Sequence, residues 1–569
     1  MKKVIIVGGV AGGASAAARL RRLDETANII MFEKGEHISF ANCGLPYYIG
    51  GEIKDKSALT LQTPEGFNKR FRIDVRTMQE VISIDKEKKV VIVHDNKNGI
   101  QYEESYDKLI LSPGAVPRKL NITGGNHKKV FTLRNIPDTL KIKEFIQKEK
   151  VKNVVVVGGG YIGIEMAENL YHAGLDVTVI EYADHVIASL DSEMASDVHN
   201  HLREKGVKLM LNNGVKEIYE EGNELKLALD NGEVRTDMVI MAVGVAPDSK
   251  LASEGDLEVN NRGAIVVDSN MQTSNKDIYA IGDAIEITDF ITSMKDMIPL
   301  AGPANKQGRI VADNIAGIPS TYHGTQGTGI LKVFDLTVAM TGINESKAKK
   351  LGIDYMKSYT YSQSHATYYP GAKPMSIKII FERETGKLLG AQIIGYDGVD
   401  KRIDVLATAI RGNMTISDLT RLELAYAPPY SSAKDPVNMA GFVGENILNG
   451  MVKVFYPEDV DDLIKDNNVT LLDIRTEEEY EYGSIEGFTN ISLDELREHI
   501  NELDKNKKVY VTCQIGLRGY LASRILTSHG FDSYNLSGGY RLYESINRDK
   551  SFNDLSNSKE EDILSVASL

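Results

Sequence analysis

Residues 153–181 read NVVVVGGGYIGIEMAENLYHAGLDVTVIE. Four successive valines suit a strand buried on both faces, and a second β-branched run closes the segment at Glu181. Between them Gly158, Gly160 and Gly163 stand in G-x-G-x-x-G spacing, and Tyr161 and Ile162 open an apolar helical pattern. Strand, glycine turn, helix and strand make a βαβ unit suited to a dinucleotide. The glycines let the chain turn tightly and let a pyrophosphate approach the helix N-terminus, whose free N–H groups favour anions. Glu181 is placed for ribose hydroxyls and repels a 2′-phosphate, and Tyr182 rather than an arginine follows it, so NADH is expected over NADPH.

The same pattern opens the chain. KVIIVGG, VAGGASAAARLRRL and ANIIMFEKG give a strand, a turn holding Gly8, Gly9, Val10, Ala11, Gly12 and Gly13, an Ala-rich helix, and a strand ending in Glu33. Val10 stands where the middle glycine of the fingerprint falls. Two dinucleotide sites in one chain imply that one nucleotide stays as a prosthetic group while the other delivers hydride to it, and FAD with NADH is the natural pair.

At 569 residues several domains are expected, and 42% hydrophobic with 26% charged residues supplies material for sizeable cores. The net charge of -14 disfavours nucleic acid and anionic membranes as partners, which points to small-molecule chemistry. The apolar run after Lys3 meets glycine too soon for a signal segment or membrane span, so a cytoplasmic location is expected. Only two cysteines occur, Cys43 and Cys513, and a reducing cytosol argues against a bridge between them. No metal is predicted, because His199 and His201 point to different helix faces. Segments 88–115 and 225–244 read as β-meanders with Asn-Gly turns.

The motifs LSPGA at 111–115, MAVGVAPDS at 241–249 and YAIGDA at 279–284 resemble those of the two-dinucleotide-binding disulfide oxidoreductases. The resemblance implies an α/β fold of two Rossmann-like domains plus an α+β dimerisation domain, in a homodimer. FAD would occupy 1–118 with 246–325, NAD(P)H 119–245, and the dimerisation domain 326–451. It places Asp283 with Gly282 beside the flavin ribityl chain. It also assigns Lys34, Val81, Ser112, Pro113 and Gly114, then Gly244, Pro299, Leu300 and Ala301, to the cofactor sites.

Cys43 lies in SFANCGLPYYIGG at 39–51, and a helix beginning after it is expected to lower its pKa. With one cysteine in place of a pair four residues apart, the segment resembles coenzyme A disulfide reductases and their persulfide-reducing relatives. HATYYPGAKP at 365–374 and YAPPYSSAKDP at 426–436 resemble the segments that bring two partner-subunit tyrosines to that active site. Tyr368 and Tyr426 fit best, with Tyr369 and Tyr430 as substitutes. Coenzyme A as substrate needs local positive charge, for which Arg19, Arg22, Lys69, Arg70 and Arg72 are candidates. Ser39 and Asn42 join them, as do Asn305 and Arg309 of PLAGPANKQGR, which in the family starts a helix beside flavin and substrate. Two other readings stay open. One is an NADH oxidase or peroxidase using a Cys43 sulfenic acid, although the turn GGVAGG lacks the histidine of the peroxidase subgroup. The other is a non-catalytic sulfur or redox sensor.

Past a boundary near 452–456, strands and helices alternate again, and KVYVTCQIGLR at 508–518 ends a β-branched strand at Cys513. Backbone N–H groups and Arg518 are expected to surround an anionic sulfur there. Residues 457–548 resemble an α/β rhodanese domain, with Asp473 and Arg475 matching its D-x-R motif and Ser484 replacing a common histidine. The six-residue loop from Cys513 to Arg518 resembles sulfurtransferases and implies a persulfide at Cys513. Residues 549–569 read as a frayed tail or small added helix.

Overall fold

The computed structural model describes residues 2–557. The chain divides into two compact units, Met1–Ile180 with Gly214–Gly327, and Glu181–Asn213 with Thr328–Leu569.

In the first unit the run Lys3–Val7 is the middle of five parallel strands, ordered Ile278–Ala280, Lys108–Leu111, Lys3–Val7, Asn28–Glu33 and Asp74–Thr77. Ile5 pairs with Ile30 on one side and Leu109 on the other, and Val4, Ile5 and Ile6 are fully buried, which is why this strand reads as a continuous apolar run. Asn153–Val157 plays the same part in a second parallel sheet, between Asp176–Ile180 and Met238–Met241. Both glycine turns are built alike. A Cβ on Gly13 would collide with the Gly8 carbonyl, and one on Gly163 with the Gly158 carbonyl, so each third glycine sets how closely its helix approaches its strand. The meanders run over Gln79–Asp85, Val90–Asp95 and Gln101–Ser105, and over Val215–Glu221, Glu224–Leu229 and Glu233–Thr236. Each therefore begins one strand before the expected segment, whose last strand, Lys108–Leu111 or Met238–Met241, joins a parallel sheet instead.

The second unit holds a five-stranded antiparallel sheet, ordered Gly329–Val333, Leu336–Gly342, Leu388–Gly395, Pro374–Glu382 and Tyr355–Gln363. Helices Val399–Arg411 and Pro436–Leu448 pack against it. Its inner strand carries a fully buried lysine. Lys378 Nζ lies 2.7 Å from Asp191 and 2.8 Å from Glu345, and also pairs with Glu193. A second sheet in this unit is parallel, ordered Lys453–Phe455, Ser533–Leu536, Lys508–Thr512, Val469–Asp473 and Thr489–Asn490.

Of residues 549–569, expected to be a frayed tail or a small added helix, the described part is helical. Residues 549–557 belong to one 19-residue helix, Gly539–Asn557, and Asp549 accepts from His199 Nδ1 at 2.7 Å and from Arg203 at 2.6 Å. Residues 558–569 lie outside the described part. Among the described residues no helix is long and apolar enough to cross a membrane.

Candidate active site

Cys43 sits inside a single 3-10 turn, Asn42–Gly44, ahead of the six-residue helix Leu45–Gly50. Two backbone bonds anchor the segment: Ser39 N–H donates to the Gly9 carbonyl at 2.8 Å, and Ala41 N–H to the Leu59 carbonyl at 2.8 Å. The first ties the cysteine loop to the first glycine turn, and Ser39 takes φ 45° to make it. Asn42 Oδ1 is buried without a hydrogen-bond partner among the described residues, a vacancy suited to a ligand donor.

The expected lowering of the thiol pKa does not occur. Although Cys43 is exposed to solvent, desolvation by the protein around its sulfur, followed by the charges of Glu165 and Asp283, pushes the thiol up. The short helix gives way to desolvation of the sulfur and to two carboxylates contributed by distant segments.

The cofactor candidates gather around the first glycine turn. Glu33 accepts from Gly9 N–H and from Gly35 N–H, each at 3.0 Å, which fixes its carboxylate at the strand end where a ribose would lie. Val10 precedes the helix Ala11–Leu23. A Cβ on Gly8 would strike the Ser112 carbonyl, and one on Gly12 would meet Ser112 Oγ and Ile281, so LSPGA and YAIGDA close on the turn. Gly114 stands beside the Arg134 guanidinium, next to Pro113. Gly282 N–H donates to Gln307 at 2.8 Å, and burial raises the pKa of Asp283. Pro299 and Leu300 line a small cavity with Gly282 and Asp283, and Ala301 begins the helix Ala301–Ile315. Lys34 pairs with Asp248 at 3.1 Å, and Val81 is buried in the first meander. These residues fit a flavin dinucleotide, because the cradle has no room for a Cβ and an acid waits where ribose hydroxyls need an acceptor.

In the second turn Gly160 caps the helix Tyr161–His172 and a Cβ there would meet nothing within 4 Å, which leaves open space over the helix N-terminus. Ile162 is exposed beside it. Gly244 adopts φ 91° near Arg118, and Glu181 accepts from Ala183 N–H at 2.8 Å.

A cavity of about 420 Å³ gathers Arg19, Arg22, Ser39, Asn305 and Arg309. Ala14, Ser15 and Ala18 supply its small-residue floor, one face of the helix Ala11–Leu23, and Phe67 and Phe71 an aromatic wall. Arg19 Nε pairs with Asp313 at 2.7 Å, and Ser15 Oγ contacts Asn305 Oδ1 at 2.6 Å. Arg70 does not join them: it lies exposed in the last turn of Pro64–Phe71, and the side of that helix that reaches the cavity carries Phe67 and Phe71.

In the second unit the hydroxyls of Tyr368 and Tyr426 meet at 2.7 Å, and both rings are exposed, as are Tyr369 and Tyr430. The Tyr426 contact raises the pKa of Tyr368. Cys513 is fully buried at the end of its strand, and Gly516 N–H donates to its Sγ at 3.1 Å. Arg518 stays close enough to feel the charge of Cys513, and its guanidinium also pairs with Glu479 at 2.6 Å.

Residues 2–308 match the family model of the pyridine nucleotide-disulphide oxidoreductases. The chain belongs to that family. Residues 329–436 match the dimerisation domain of these oxidoreductases, and residues 456–545 match the rhodanese-like domain. Coenzyme A disulfide reductase of Staphylococcus epidermidis is 39% identical over 445 residues, 78% of this chain and 99% of that one. The reduced CoADR-RHD of Bacillus anthracis superposes with a TM-score of 0.94 at 49% identity, covering 96% of this chain and 98% of its own. A NAD-dependent persulfide reductase from A. fulgidus does so with 0.89 at 39%, covering 95% and 100%. As a pyridine nucleotide-disulphide oxidoreductase the chain is an enzyme that works with FAD and NAD(P)H.

Several residues of this oxidoreductase's site are not singled out by motif reading. Glu165 and Tyr47 stand near Cys43, and Tyr47 donates a hydrogen bond to Glu165. An acid in the otherwise apolar stretch YIGIEMA is the sequence feature that marks Glu165. Phe67 and Phe71 show only as an i, i+4 aromatic pair. Burial, and then Glu168, push Glu165 up to about 7. A carboxyl raised this way binds more protons folded than unfolded between its ordinary range and about 7, so its contribution to stability falls as pH rises through that window. Glu165→Gln removes the ionisation and keeps an acceptor for Tyr47. Its stability relative to wild type is expected to improve by up to ~2 kcal/mol between about pH 5 and about pH 8. Unfolding midpoints of both proteins across that range check this.

Proposed function

We propose that this enzyme uses NADH to reduce coenzyme A disulfide, coenzyme A persulfide or polysulfide at Cys43, and that Cys513 handles the sulfane sulfur. The FAD domain would span 1–118 with 246–325, the nucleotide domain 119–245, the dimerisation domain 326–451 and the rhodanese domain 457–548. The observation that carries the reading is the cavity lined by three arginines, of a size suited to a nucleotide-bearing ligand and sharing Ser39 with the loop of Cys43. Its cations suit phosphate groups and its phenylalanines suit a ring or a pantetheine chain. The 39% identity to a coenzyme A disulfide reductase supports the same substrate class.

The Cys43 thiolate attacks one sulfur of the substrate, forming a mixed disulfide while the other sulfur leaves with the electron pair. FAD, which the turn Gly8–Gly13, Glu33 and Asp283 would hold, would supply the two electrons of NADH that reopen that bond, so that the second thiol leaves and Cys43 is restored. Tyr368 and Tyr426, supplied by the partner subunit of a homodimer, hold the leaving thiolate and donate its proton. Glu181, at the end of its strand, favours NADH by repelling a 2′-phosphate.

Anaerobic NADH oxidation measured with coenzyme A disulfide, coenzyme A persulfide, glutathione disulfide and then oxygen tests the reading. The coenzyme A substrates are expected to turn over fastest, and oxygen consumption at a comparable rate would replace this reading with an oxidase. Arg22→Ala is expected to lower kcat/KM for coenzyme A disulfide about tenfold through KM. Turnover of inorganic polysulfide, which carries no phosphate, should stay near wild type in that variant.

A further inference from the structure

The charges around Cys513 do not add up to an anion trap. Arg518 closes the loop, but its Nη1 and Nη2 donate to the two carboxylate oxygens of Glu479 at 2.6 and 2.7 Å. Glu479 is held in place. It is the third residue of the helix Glu477–Tyr482, and its Oε2 also accepts from Thr476 N–H at 3.0 Å, completing a capping box. The other arginine at the loop, Arg475, is buried and bound to the fully buried Asp473 at 2.7 Å and to the Gly483 carbonyl at 2.6 Å. Its ring neighbour is Tyr540, 4.0 Å below the guanidinium, and Gln514 accepts from Nη1 at 3.3 Å. Each of the two arginines at the loop is therefore already paired with a carboxylate, Arg518 with Glu479 and Arg475 with Asp473.

We propose that Glu479 sets donor specificity at Cys513: by neutralising Arg518 it makes the loop take sulfane sulfur from organic hydropersulfides in preference to dianionic donors such as thiosulfate. This rests on Cys513 being a sulfur-transfer residue. In the step itself the Cys513 thiolate attacks the outer sulfur of RS–SH. The Sγ–S bond forms, the donor S–S bond breaks, and RS leaves with the electron pair and takes up the proton, so Cys513 is left as a persulfide anion and RSH departs. With thiosulfate the leaving group is sulfite, a dianion whose charge needs a cation that is not already paired.

The test uses the full-length flavoenzyme, with thiosulfate or glutathione persulfide as donor, cyanide as acceptor and thiocyanate as readout. Glu479→Gln keeps the length and the capping box but removes the charge. Its kcat/KM for thiosulfate is expected to rise about tenfold, with the persulfide value changed by less than about threefold. Glu479→Asp, which keeps the charge, should retain the wild-type donor ratio. A donor ratio unchanged in Glu479→Gln, or shifted as far in Glu479→Asp, overturns the proposal. A second readout does not depend on sulfur transfer. The rate of alkylation of Cys513 by anionic iodoacetate, relative to neutral iodoacetamide, should rise in Glu479→Gln, and a flat ratio also overturns the proposal. Sulfur transfer from both donors that persists in Cys513→Ser would instead remove the underlying reading of the cysteine, and the specificity claim with it.

Discussion

Cys43→Ser is expected to lower NADH-dependent reduction of coenzyme A disulfide by about 10³-fold or more. A serine hydroxyl is a far weaker nucleophile than a thiolate, and this position offers it no relief. The charges near Cys43 are the carboxylates Glu165 and Asp283, which oppose formation of any further anion. NADH should still bleach the flavin of this variant, because the two glycine turns and Asp283 are untouched. Cys513→Ser is expected to leave the same reduction within about twofold, since it belongs to a different sheet, while abolishing thiocyanate formation. Rapid-mixing spectra and steady-state rates on both variants decide the matter. Substantial disulfide turnover in Cys43→Ser would place the chemistry elsewhere.

Lys378→Met should cost about 3–5 kcal/mol of stability, the effect of removing one partner from a buried ion cluster. Lys378 is fully buried among Asp191, Glu193 and Glu345, and their negative charge raises its pKa while its own charge lowers those of Glu345 and Glu193. Methionine fills similar space but leaves three carboxylates facing one another. Lys357, 3.0 Å from Glu345, offsets part of that repulsion. Adding Glu345→Gln to Lys378→Met should therefore recover part of the loss. Denaturant unfolding of the single and double variants measures this, and a stable Lys378→Met protein would show that the cluster reorganises at little cost.

The features legible in the sequence share a local origin. Runs such as VIIV and VVVV fix buried parallel strands because both faces of such a strand must be apolar. The spacing Gly158, Gly160, Gly163 fixes a strand-to-helix turn because a side chain there would strike backbone. Cys43 and Cys513 stand out for their flanking motifs, and Arg19 and Arg22 for sharing a face of the first glycine helix.

Other features are set by packing between segments far apart in the chain. Asn305 and Arg309 reach the cavity of Arg22 because the helix Ala301–Ile315 lies along the helix Ala11–Leu23, whereas Arg70 falls outside it although its charge is equally suitable. Residues 549–557 continue the helix Gly539–Asn557, which Asp549 ties to His199 and Arg203. The Cys43 thiol is pushed up rather than down because protein packed around its sulfur desolvates it, and because Glu165 and Asp283 are brought near it. Hydrophobic period, glycine sterics and turn chemistry act over a few residues, so this chain's strands, turns and two sulfur loops follow from its sequence alone. Electrostatic environment falls off with distance in space, and only the tertiary structure decides which charges come within reach of Cys43 and Arg518.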